Sequence, residues 1–172
     1  MEKNNVTAPV DITAQIDETS LELYQLIGSL SEEQFNMVPF IDSWTPAQLA
    51  VHVTKSNNGI AQGMGMEGKP ALRMPEERVA ELKKIFLNFG HKMKSPEFIV
   101  PKPGLYEQTT TLAALKRSID QVIEKSRLTD LSEVIIFPAL GEITKLELLY
   151  FVLYHTQRHV HQLRNIIKHL HA

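Results

Sequence analysis

At 172 residues with 43% hydrophobic side chains, the chain is long enough for one substantial core and too short for two comfortable ones, so a single domain over residues 1–172 is expected. A net charge of -2 without a Lys/Arg block leaves no electrostatic footprint for phosphate backbones, which argues against nucleic acid as a partner. The lack of cysteine removes disulfides, thiolate ligands and a cysteine nucleophile, so any thiol chemistry must draw on an external thiol.

Met1 to Pro9 is polar with no apolar signal core. From Val10 to Leu30 the residues Ile12, Ile16, Leu23, Leu26, Ile27 and Leu30 recur at spacings near three and four and predict a first amphipathic helix, with Gly28 softening its end. Ser31-Glu32-Glu33-Gln34 opens like a capped helix, but Pro39 closes it after about one turn. A stronger start follows. Thr45 can cap, Pro46 sits where its missing N–H costs nothing, and Gln48 completes a capping box. Leu49, His52, Val53, Ser56 and Ile60 then share one face until Gly63, Gly65 and Gly68 end the run.

Pro75 to about Lys92, with Val79, Leu82, Ile85, Phe86 and Phe89, predicts a further helix in a crossover. Pro96, Pro101 and Pro103 make Lys94 to Gly104 a loop. Leu112, Leu115, Ile119, Val122 and Ile123 predict a helix from Thr109 to Leu128. Glu133 to Pro138 has strand composition but no evident partner strand, and is expected as buried loop ending at Gly141. Thr144, with Glu147 at the third position, caps a last helix reaching Leu170. Its most apolar run, Leu146 to Tyr154, is broken by Glu147, so no membrane span is expected and the protein should be soluble and cytoplasmic. No internal repeat or low-complexity segment interrupts this pattern. Four main helices, one long connection and a short extra helix describe an all-α four-helix bundle with a crossover.

On the last helix, His155 and His159 lie one turn apart within the apolar stripe of Leu148, Val152, Leu163, Ile166 and Leu170, whereas His161 falls on the polar side with Lys168. Burying two imidazoles needs a reason, because an unsatisfied polar group costs roughly 1 to 3 kcal/mol. A shared metal ion and ordinary hydrogen-bonded core histidines both supply one. His52, alone, reads as a histidine at the edge of an apolar face. If the second and last helices face each other, His52, His155 and His159 form a three-imidazole set suited to zinc, nickel, iron or another first-row ion, with a position left for water or substrate. Such an ion can lower the pKa of water, hold a thiolate or polarise a carbonyl. Thr156 and Gln157 stand where metalloproteases place a carboxylate, which weakens a protease reading. Gln162 and Ser56 are placed to orient the imidazoles or are plain polar border residues. Arg158 flanks the site, either to receive an anion or simply solvated.

Ser43 through His52, Gly141-Glu142-Ile143-Thr144, and Phe151 through Gln162 together resemble the DinB-like (DinB/YfiT-like) superfamily of metalloenzymes, in matching order over nearly the full chain. The resemblance implies a four-helix bundle, often homodimeric, with a divalent ion held by one histidine of the second helix and two of the last. Carried onto this chain these are His52, His155 and His159, with zinc or nickel foremost and iron or manganese next. Some relatives join bacillithiol, mycothiol or a similar small thiol to an electrophile, and many have no assigned activity. The expected function is therefore a thiol-dependent S-transferase on a small-molecule substrate; hydrolysis of a small ester or amide, or a non-catalytic metal- or ligand-binding bundle, are the alternatives.

Overall fold

The computed structural model describes residues 11–171; the reading of Met1 to Pro9 and the first residue of the Val10 helix lie outside them. The long helices are α1 (Ile12–Gly28), α3 (Pro46–Met64), α5 (Gln108–Ser126) and α6 (Lys145–Leu170), with short α2 (Glu32–Phe35) and α4 (Val79–Phe86) between them. Helix α1 packs on α5 and α6, and α3 packs on the same two. The four-helix bundle is thus present, and α3 lies beside α6. No helix among the described residues is long and apolar enough to cross a membrane.

The helix starts follow from side-chain chemistry. Ser31, Thr45 and Thr144 each accept from the third backbone N–H while Gln34, Gln48 and Glu147 reach back to the cap N–H, so all three capping boxes are closed. Asp11 and Glu107 cap α1 and α5 with carboxylates. The faces read from the sequence are buried: Leu49, Val53 and Ile60 on α3, Leu115 and Val122 on α5, Leu148, Val152, Leu163 and Ile166 on α6.

Two expectations need correction. Glu133 to Pro138 is not buried loop: Glu133–Phe137 is a strand (β2) pairing antiparallel with β3 (Gly141–Thr144) on one side and β1 (Lys69–Pro70) on the other. Its partners are too short to carry an alternating pattern of their own, and β3 runs straight into the cap of α6. Residues 138–140 turn β2 into β3, with Ala139 at φ 66° in the turn and Gly141 at φ 69° where β3 begins. The ring of Phe137 lies so near α3 that a Cβ on Gly63 would stand 2.8 Å from it.

The predicted helix from Pro75 to Lys92 is only α4, Val79–Phe86. At its start, the Pro75 carbonyl accepts from the Thr144 hydroxyl and the Arg78 N–H donates to Glu147 at 2.7 Å, so groups that a first turn would use are taken by the start of α6. At the end of α4, the carbonyls of Phe86 and Asn88 accept from Arg158 of α6. The proline-rich loop contains one 3-10 turn, Glu97–Ile99.

Candidate metal centre

His52 sits one and a half turns into α3, and His155 and His159 face it from the middle of α6. All three rings are buried, with exposures of 1%, 5% and 5%. The Nε2 of His155 lies 3.1 Å from the Nε2 of His52 and 3.1 Å from that of His159. One ring nitrogen from each of the three falls within 4.8 Å of the others. The three residues predicted from sequence are brought together.

The outer nitrogens decide what the inner ones can do. His52 Nδ1 lies 3.0 Å from the Ile99 carbonyl, an acceptor only, so Nδ1 carries the proton and Nε2 presents a lone pair. His159 Nδ1 donates to Gln162 Oε1 at 2.9 Å, which leaves its Nε2 in the same state. His155 Nδ1 is buried without a partner. Its Nε2 faces two lone pairs and can donate to one of them or add a third.

Protonation is no remedy. Burial first, then His159, His52 and Arg158, hold His155 well below the ordinary imidazole value. Burial, the His52 ring and Arg158 bring His159 down to about 3 against the opposing pull of Gln162. His52 is lowered by burial, and Lys55 adds to this while the Ile99 carbonyl opposes it. The rings stay neutral, with nitrogens directed at one another.

This donor set fits a cation. Nitrogen ligands about 2.0 to 2.1 Å from a tetrahedral zinc stand about 3.3 to 3.4 Å apart, near the 3.1 Å seen for two of the pairs. Aromatic rings wall the cluster: Trp44 lies 4.8 Å from His52 between centroids, and Phe151 stacks on His155 at 5.1 Å. Two surface hollows, one at Asn36 and Tyr106 and one between α3 and α5 at Thr54 and Lys125, lie away from it.

Of the two residues that the sequence leaves as either orienting groups or plain border residues, Gln162 accepts a hydrogen bond from His159 Nδ1. Ser56 is buried one turn from His52 but bonds none of the three rings. Arg158, half-buried, donates to the carbonyls of Phe86, Asn88 and His91 and bonds none of the three rings. The Ile99 carbonyl went unread because a backbone acceptor has no residue signature. His161 is exposed, as expected of the polar side, and stacks on Phe89.

Comparison with known proteins agrees with this architecture. YfiT from Bacillus subtilis, described as a probable metal-dependent hydrolase with an unusual four-helix bundle topology, superposes with a TM-score of 0.63 at 14% identity, covering 97% of this chain and 92% of that one. The four-helix bundle protein TT2238 superposes at 0.59 with 16% identity, over 90% and 97% of the two chains. The uncharacterized protein YuaE of Bacillus subtilis (strain 168) is 21% identical over 154 residues, 87% of this chain and 93% of YuaE. Residues 15–163 match the family model of the DinB superfamily, and with the bundle and its three facing histidines the chain belongs to that family.

Proposed function

We propose that His52, His155 and His159 hold a divalent cation, zinc or nickel ahead of iron or manganese, and that the protein is a metal-dependent enzyme transferring a low-molecular-weight thiol to a small electrophile. The observation that carries this reading is the convergence of three neutral, buried Nε2 atoms, two pairs of them 3.1 Å apart. A divalent ion on three imidazoles supplies Lewis acidity with coordination positions left for reactants. The chain's own residues prepare that place. Ile99 and Gln162 fix two tautomers, burial keeps the rings unprotonated, and Phe86 and Phe151 exclude water from the flank of His155.

The choice of nucleophile follows from what the cluster contains. Among the described residues no carboxylate joins the three histidines, so the cluster has no side-chain base of its own. A thiol, with a pKa of about 8.5 against about 15.7 for water, needs the least help to ionise. With no cysteine in the chain, that thiol comes from outside. Hydrolysis of a small ester or amide is the second reading, favoured by the likeness to YfiT and its description as a probable metal-dependent hydrolase.

The test is a turnover screen on zinc- and nickel-loaded protein, pairing small thiols with haloaromatic and epoxide electrophiles and running esters and amides without thiol. Thiol-dependent turnover that vanishes in His155→Ala supports transfer. Turnover without thiol moves the assignment to hydrolysis. Tight metal binding with no turnover in any class makes the bundle a non-catalytic binder.

A further inference from the structure

Between α4 and Pro101 the crossover runs past the histidines as an irregular strap, residues 87–100. It lacks a regular ladder to satisfy its carbonyls, and the helices bearing the histidines supply the donors instead. Arg158 of α6 donates to the carbonyls of Phe86 at 3.2 Å, Asn88 at 3.0 Å and His91. From α3, His52 donates to Ile99 at 3.0 Å and Lys55 to Val100 at 3.1 Å. The His161 ring lies flat on Phe89, centroids 4.0 Å apart and planes within 5°. One of these ties does double duty, since the Ile99 carbonyl also sets which nitrogen of His52 carries the proton.

Resting on the metal reading above, we propose that Arg158 is a positioning residue for the metal centre: by clamping the strap it keeps the Ile99 carbonyl on His52 Nδ1, so that strap closure and metal binding favour each other. With the strap displaced, His52 is free to move its proton to Nε2 and lose its lone pair toward the cluster. Thermodynamic linkage makes the effect reciprocal: whatever factor strap docking adds to metal affinity, the metal adds to strap docking.

This role has the opposite sign to the effect of Arg158's charge. A guanidinium near two of the histidines opposes a cation, as it opposes their protonation. Deleting only that charge would tighten metal binding; deleting the clamp loosens it. Zinc affinity is measured by chelator competition for the wild type, Arg158→Met, Arg158→Lys and the control Arg164→Met, whose arginine is exposed on α6 and pairs with Glu22. The expected result is about a tenfold loss of affinity and faster zinc release in Arg158→Met, a smaller loss in Arg158→Lys, which keeps the charge without the fork, and no change in Arg164→Met. Unchanged or tighter zinc binding in Arg158→Met overturns the proposal.

Hydrogen exchange on the wild type gives a second test that needs no variant. Zinc should slow exchange of the Ile99 and Val100 amides, which bond to the Pro96 and Glu97 carbonyls, and exchange indifferent to zinc would also overturn it. A wild type that binds no zinc removes this inference together with the metal reading. A wild type that binds zinc, alongside a His155→Ala variant that does not and an Arg158→Met variant that binds as tightly as wild type, removes this inference alone.

Discussion

Helix α6 carries two buried polar clusters about two turns apart, and they solve the same problem in opposite ways. Near its start, the fully buried Glu147 carboxylate accepts both arms of Arg73 at 2.7 and 2.8 Å, the Arg78 N–H at 2.7 Å and the Thr144 N–H at 2.9 Å. In its middle, the imidazoles of His155 and His159 meet His52 with nitrogens facing nitrogens and one, His155 Nδ1, unpartnered. The first cluster is complete as folded and ties the crossover to the bundle. The second has at most one N–H to share among its three inner nitrogens, which makes it the place proposed for a cation. A buried polar group that has all its partners reads as structure, and one that lacks them reads as a receptor.

The sharpest way to break this contrast is to remove Glu147. Glu147→Gln leaves Arg73 only its longer 4.0 Å contact with the exposed Glu142 and should cost about 3 kcal/mol in chemical denaturation, the low end for breaking a buried ion pair, while zinc bound per folded molecule stays the same. Acid should erase that difference. Burial raises the Glu147 pKa, but Arg73 and the backbone N–H groups of Thr144 and Arg78 outweigh it and hold the carboxyl below its ordinary 4.5. A group depressed on folding stabilises above its unfolded pKa and loses that contribution as pH falls through the folded one. The gap between wild type and Glu147→Gln should therefore be full at neutral pH and close on titration below 4.5.

The converse substitution is His155→Leu. It removes the orphaned His155 Nδ1 together with an Nε2 that can donate to only one of the two lone pairs it faces, so metal-free stability should hold or rise slightly. Zinc at 100 times its Kd should stabilise the wild type by about 2.7 kcal/mol and His155→Leu not at all, read as a shift in denaturation midpoint. A variant that loses several kcal/mol without metal would show the histidines to be structural after all. Gln162→Ala should weaken zinc binding about tenfold through the lost grip on His159 Nδ1, with little change in folding stability. Ser56→Ala should leave zinc affinity unchanged, because no ring depends on that hydroxyl.

The contrast also explains what could be read in advance. His155 and His159 were legible because a four-residue spacing places them in a stripe of Leu and Val, and His52 because a closed capping box fixes where α3 begins and hence which face it buries. Glu147 was legible as a cap but not as an anchor, since Arg73 lies 74 residues away in an irregular segment without periodicity. The sheet escaped notice because β1 has two residues and β3 only four. Arg158 reads from sequence either as a receiver of anions or as a solvated arginine, because its acceptors in the fold are carbonyls, identical in every residue and silent in a sequence.

The contact at Gly63 reaches further than its own neighbourhood. Helices α3 and α6 resemble the arms of a calliper, with the histidines gripping at one place and Gly63, Phe137 and Leu148 wedged farther along. A methyl group added at 63 would meet the Phe137 ring at 2.8 Å and Leu148 of α6 at 3.4 Å, and whatever room those side chains do not yield must come from spreading the arms. The bite of the jaws is thus gauged by a residue that never approaches them.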